Sequence, residues 1–147
     1  MTWIGCALPV GDEVYFYYGG YTRGHKVEPG TERQIGLARM KKDRYVAFRP
    51  TAAEGTLRTR PFVLAGNTLT LNADAAHGEI RVRIVATDGG LLSGRDPLES
   101  EPVQSDDLAA KVRWPNSLAT MIGKPIRLEF HLRGSALFGF QFHRVGE

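Results

Sequence analysis

The sequence predicts an all-β protein: an antiparallel two-sheet β-sandwich, jelly-roll-like, with little helix. Three observations lead there. The apolar runs are short and several alternate with period two, turn-forming residues recur at intervals of about ten residues, and helix signals are few. The chain has 147 residues, 42% of them hydrophobic and 24% charged. That is a globular composition, with enough chain for one core of ordinary size. A single domain over 1–147 is expected, in which 1–30 supplies N-terminal strands and 31–147 the sandwich.

The first strand comes from DEVYFYYGGYTRGH (12–25), which gathers four Tyr and one Phe ahead of Arg23, Gly24 and His25. EVYFYY (13–18) alternates Tyr15 and Tyr17 against Phe16 and Tyr18, with Gly19-Gly20 read as the turn that follows. Further strands are expected at QIGLARM (34–40), YVAFRP (45–50), TLRTRPFVL (56–64) and TLTLNA (68–73). Lys41-Lys42-Asp43, Glu54-Gly55 and Gly66-Asn67 make the turns around them. EIRVRIVA (79–86) sets Ile80, Val82, Ile84 and Ala86 against Arg81, Arg83 and Val85, the pattern of a half-buried strand. The span Asp88–Asp107, rich in Gly, Ser, Pro and acids, reads as one long irregular loop.

Only SDDLAAKV, with Ser105 as N-cap, and SLATMIG, ending at Gly123, suit a turn or two of helix. PIRLEFHL places Ile126, Leu128, Phe130 and Leu132 opposite Arg127, Glu129 and His131. After Gly134-Ser135, ALFGFQFHRV places Leu137 and Gly139 opposite Phe138, Phe140 and Phe142. These last two segments are expected to pair as a hairpin.

Several function classes are disfavoured. The net charge of +3 is spread along the chain, and its densest cluster is Met40-Lys41-Lys42-Asp43-Arg44, so no nucleic-acid partner is indicated. Cys6 is the sole cysteine, which rules out an intramolecular disulfide and a thiolate zinc site. Its apolar setting, WIGCALPV, predicts a buried inert thiol. No signal-peptide pattern opens the chain and no apolar run reaches membrane-spanning length, so a soluble, unexported protein with no membrane partner is expected.

His25, His77, His131 and His143 lack metal-ligand spacing. Ser93, Ser100 and Ser105 lie in no nucleophile elbow. Nothing resembles a dinucleotide or P-loop motif, so no organic cofactor is expected. Asp12-Glu13 and Asp106-Asp107 are adjacent pairs whose side chains diverge on a strand, and they read as turn and cap residues.

Two candidate sites remain. The aromatic cluster fits either a central structural strand or a sugar-stacking face, in which rings pack on the C–H side of a sugar and polar groups reach its hydroxyls. The carbohydrate-binding residues would then be Tyr18, Tyr21, Arg23 and His25, joined by Trp114 of VRWPN, which fits a core plug as well as a stacking platform. Asn72, Asp74 and Asp88 supply oxygen ligands for a structural calcium if the fold converges them.

One resemblance bears on function. GDEVYFYYGGYTRGH, RQIGLARMKKDRYVAF, EGTLRTRPFVLAGNTLTLNADAAHGEIRVRIVATDGG and VRWPNSLATMIGKPIRLEFHLRGSALFGFQF, taken in that order, resemble the C-terminal region of bacterial five-bladed propeller proteins of glycosidase-like type. These are related to families that include fructan hydrolases and arabinan-degrading enzymes. The resemblance covers nearly the whole chain. It implies that the first strands end a propeller blade and that residues from about Gly36 onward form the appended sandwich. Propeller glycosidases carry their catalytic carboxylates on earlier blades, so the resemblance implies a non-catalytic accessory domain, stabilising or sugar-contacting. The alternatives are a subunit needing propeller blades in trans and an interaction protein with no ligand. The aromatic strand such a blade would bury predicts self-association as a homodimer.

Overall fold

The computed structural model describes residues 2–21, 33–90 and 98–144, with side chains described from Ile4 onward. The chain divides into two compact units, Met1–Arg44 and Tyr45–Glu147. Among the described residues, all regular structure in both is antiparallel β, apart from one 3-10 turn at Ala119–Met121.

The first unit is a meander of β1 (Thr2–Val10), β2 (Glu13–Tyr21) and β3 (Arg33–Lys41), in that order across the sheet. Gly11 and Asp12 make the β1–β2 turn, and β1 carries a bulge between Ile4 and Cys6. Gly19 and Gly20, expected as a turn, lie inside β2 opposite Ile35 and Gln34. The strand runs through them because β1 and β3 flank it on both sides along its length. Cys6, expected to be buried, is exposed. Its strand is a sheet edge whose Ile4, Leu8 and Val10 are also exposed, so an apolar sequence has not secured a covered position.

The second unit holds β4 (Glu54–Arg58), β5 (Phe62–Val63), β6 (Thr68–Asp74), β7 (Glu79–Val85), β8 (Leu98–Glu99), β9 (Asp106–Lys111), β10 (Pro125–Arg133) and β11 (Ala136–His143). One sheet runs β4-β10-β7-β8, with β5 also on β10; the other runs β11-β6-β9. Alternate residues of both sheets meet in a single core: Leu69, Leu71 and Ala73 from β6, Ile80, Val82 and Ile84 from β7, and Ile126, Leu128, Phe130 and Leu132 from β10. This is a β-sandwich, as the alternation predicts.

The final two strands do not form a hairpin. Both edges of β10 are occupied, by β4 and β5 on one side and β7 on the other, so β11 has no place beside it. Gly134, in the left-handed region at φ 54°, turns the chain into the opposite sheet, where β11 pairs with β6. Across the core the Phe130 and Phe140 rings meet at 5.1 Å between centroids. A bulge between Leu137 and Gly139 corrects the alternation too: Leu137, Phe140 and Phe142 share one side, opposite Ala73, Leu71 and Leu69.

Other expectations shift. SDDLAAKV forms β9 rather than helix, because Ala110 pairs with Leu71 at the core and tertiary pairing outweighs the helix preference of its alanines. Asp107 bonds the Ala109 N–H at 2.9 Å within a bulge of β9. YVAFRP contributes only a bridge from Phe48 to Leu137, with Tyr45, Val46 and Phe48 exposed. SLATMIG does make a short turn of 3-10 helix, with Gly123 beyond its end at φ 82°. The expected loop 88–107 contains β8 and a bridge from Val103 to Ile80.

Candidate functional site

Side chains of β4, β10, β7 and β8 that point away from the core form a ladder of charges. In one row Arg58, Glu129, Arg83 and Glu99 lie side by side; in the next Thr56, His131 and Arg81; in a third Glu54, Arg133 and Glu79. Period-two alternation puts these residues on one face because the intervening Leu57, Ile80, Val82, Leu128, Phe130 and Leu132 are drawn inward. Opposite charges on neighbouring strands then fall within reach of one another.

The contacts follow the rows and their diagonals. Arg58 meets Glu129 at 2.6 Å. The Arg83 Nε donates to Glu99 at 2.6 Å. Arg81 lies 3.6 Å from both Glu79 and Glu99, and Arg133 lies 3.3 Å from Glu79. Only Glu129, with 9% of its side chain exposed, is truly desolvated. The remaining pairs are half-exposed, where each contributes at most about 1 kcal/mol.

These residues border an open groove of about 450 Å³, lined chiefly by Glu54, Thr56, Glu79, Arg81, Glu99 and His131. His131 stands in the middle row. Its Nδ1 lies 3.2 Å from the Thr56 hydroxyl. Its Nε2 is buried without a hydrogen-bond partner, since Glu129 Oε2 at 3.8 Å is too far to accept. The groove therefore combines arginine donors and carboxylate acceptors.

The expected carbohydrate residues fall elsewhere. Tyr18 crosses to β3 and lies against Gly36, where a Cβ would land inside its ring. Tyr21 carries the Arg33 guanidinium over its ring at 5.7 Å, and Tyr15 carries Arg39 at 5.7 Å. β2 is the central aromatic strand of its sheet, with each of these rings engaged by β3. Arg23 and His25 lie outside the described residues. Trp114 follows β9, packs partly buried against the second unit's core, and leaves its Nε1 buried without a partner.

The expected calcium ligands do not converge. Asn72 and Asp74 are on β6, whereas Asp88 follows the far end of β7, a strand spanning about 20 Å. Asp88 bonds the Gly90 N–H at 2.8 Å in its own turn, and Asp74 lies 3.4 Å from the Ala76 N–H. Among the described residues no three His, Cys, Asp or Glu are grouped to hold a metal. His131 and His143, far from facing one another on a hairpin, belong to different sheets; His143 Nε2 meets the Thr70 hydroxyl at 2.9 Å.

The groove was readable only in part. The alternating Glu79-Arg81-Arg83 and Arg127-Glu129-His131-Arg133 series mark two solvent faces, but their adjacency depends on β10 lying between β4 and β7. No helix among the described residues is long and apolar enough to cross a membrane. Searches against family models, curated proteins and solved structures find no match for this chain.

Proposed function

We propose that the chain is a non-catalytic β-sandwich accessory domain, of the kind associated with glycoside-hydrolase-like proteins, and that it contacts carbohydrate through the groove on the β4-β10-β7-β8 sheet. One observation carries this reading: a sheet face at the size of a small-ligand site presents fixed donors and acceptors side by side. A sugar offers hydroxyls that donate and accept at similar spacing. The same geometry supports a non-catalytic role. A glycosidase acid must hold a proton and deliver it to the leaving oxygen, whereas Glu79, Glu99 and Glu129 are each tied to arginine. The resemblance to propeller-associated sandwiches points to the same class of partner.

Calorimetric titration of the whole chain with arabinan-, fructan- and xylan-derived oligosaccharides tests binding, alongside hydrolysis assays on the same sugars and on aryl glycosides. Binding that Arg81→Ala weakens, without turnover, is the expected result. Turnover that survives purification and is lost on changing one Asp or Glu overturns the non-catalytic reading.

A second reading is favoured by the first unit. Ile35 is 85% exposed, with Leu8, Val10 and Leu37 also uncovered on the same face of its sheet, and a second copy of the chain in a homodimer would cover them. Propeller blades supplied in trans would serve the same surface.

A further inference from the structure

Building on the carbohydrate-binding reading, we infer that the groove selects neutral glycans and rejects acidic sugars, because each of its arginines is already paired with a glutamate. Three arginines and three glutamates line it. Glu99 holds Arg83 at 2.6 Å and Arg81 at 3.6 Å, while Glu79 holds Arg133 at 3.3 Å and Arg81 at 3.6 Å. A uronate entering this lattice must share an arginine with the glutamates it already serves and stand beside those like charges.

A neutral hydroxyl meets no such obstacle. A guanidinium has five N–H donors and a carboxylate about four lone-pair positions, so the ion pairs leave both kinds of group with capacity to spare. A hydroxyl can accept from Arg81 while donating to Glu79 or Glu99, adding to the pairs instead of breaking them. Selectivity thus comes from electrostatic closure of the lattice, and opening one pair should reverse it.

The experiment compares neutral arabino- and fructo-oligosaccharides with oligogalacturonate on the whole chain at low and high salt. The wild type should bind a neutral oligosaccharide with affinity that changes less than about twofold with salt, since no counterions are exchanged. Glu99→Gln frees Arg83 and leaves Arg81 with Glu79 alone, and should give salt-sensitive oligogalacturonate binding at least about tenfold tighter than wild type. Oligogalacturonate bound more tightly than every neutral sugar by the wild type overturns the inference while leaving carbohydrate binding intact. Unchanged selectivity in a folded Glu99→Gln chain also overturns it. No binding to any of the sugars overturns the carbohydrate reading itself.

Discussion

The two units use the same period-two alternation with opposite outcomes. In the second, β6 and β7 place Leu69, Leu71, Ile80, Val82 and Ile84 fully out of solvent, because each sheet gives the other an apolar face to pack on. In the first, β3 alternates as well, yet Ile35 and Leu37 stay exposed. Alternation therefore specifies a strand and its two faces, whereas burial requires a second layer.

The sharpest test of this difference removes the second unit's largest core side chain. Phe130→Ala leaves a cavity beneath Phe140 and should cost about 3–5 kcal/mol by urea denaturation. Amide exchange should show the loss in residues 45–147; equal loss of protection in β1–β3 would make the two units one cooperative body.

Gly36→Val provides the reciprocal test in the first unit. A side chain there displaces the Tyr18 ring, with an expected cost of about 1–3 kcal/mol. The near-ultraviolet tyrosine signal should change while the amides of β6, β7 and β10 retain their protection.

A smaller effect is expected in the charged ladder. Arg58→Ala leaves the nearly buried Glu129 without its closest cation and should cost about 1–2 kcal/mol, less than full burial would demand because Arg58 is half-exposed. Adding Glu129→Gln should recover most of that loss in the same denaturation measurement.

Smallest in stability, and most direct for assembly, is Ile35→Lys, expected within about 0.5 kcal/mol of wild type when both are diluted to single protomers, where the side chain is in water. By light scattering the wild type should be a dimer and the variant a monomer. A wild-type monomer would show that the apolar sheet face needs no second copy.

Strand existence was legible wherever a side chain's own neighbours in sequence decided it: β2, β6, β7, β10 and β11 all lie where alternation or aromatic content puts them. What local pattern could not carry was partner choice. SDDLAAKV looks helical until Ala110 is placed beside Leu71, and PIRLEFHL looks like half of a hairpin until both its edges are taken. The groove was hidden for the same reason: Thr56, Arg81 and His131 are distant in sequence and meet only through the order β4-β10-β7. Cys6 failed differently, since nothing in WIGCALPV indicates that its strand is an exposed edge.

The charge ladder also bears on how the chain avoids misfolding. The inward residues of β7 are aliphatics of similar size, so sliding β7 two positions past β10 keeps apolar side chains inside. The outer face distinguishes these states. Sliding one way brings Arg81 against Arg133 and Arg83 against His131; sliding the other brings Arg83 against Arg127 and deprives Arg133 of Glu79, while setting Arg81 against Glu129. Such juxtapositions cost a few tenths to about 1 kcal/mol each, which is small against the core yet decisive between cores that are nearly equal. The ladder thus acts as an error-correcting code for strand assembly, and neutralising it should slow refolding and raise the yield of mispaired, aggregation-prone chains more than it lowers equilibrium stability.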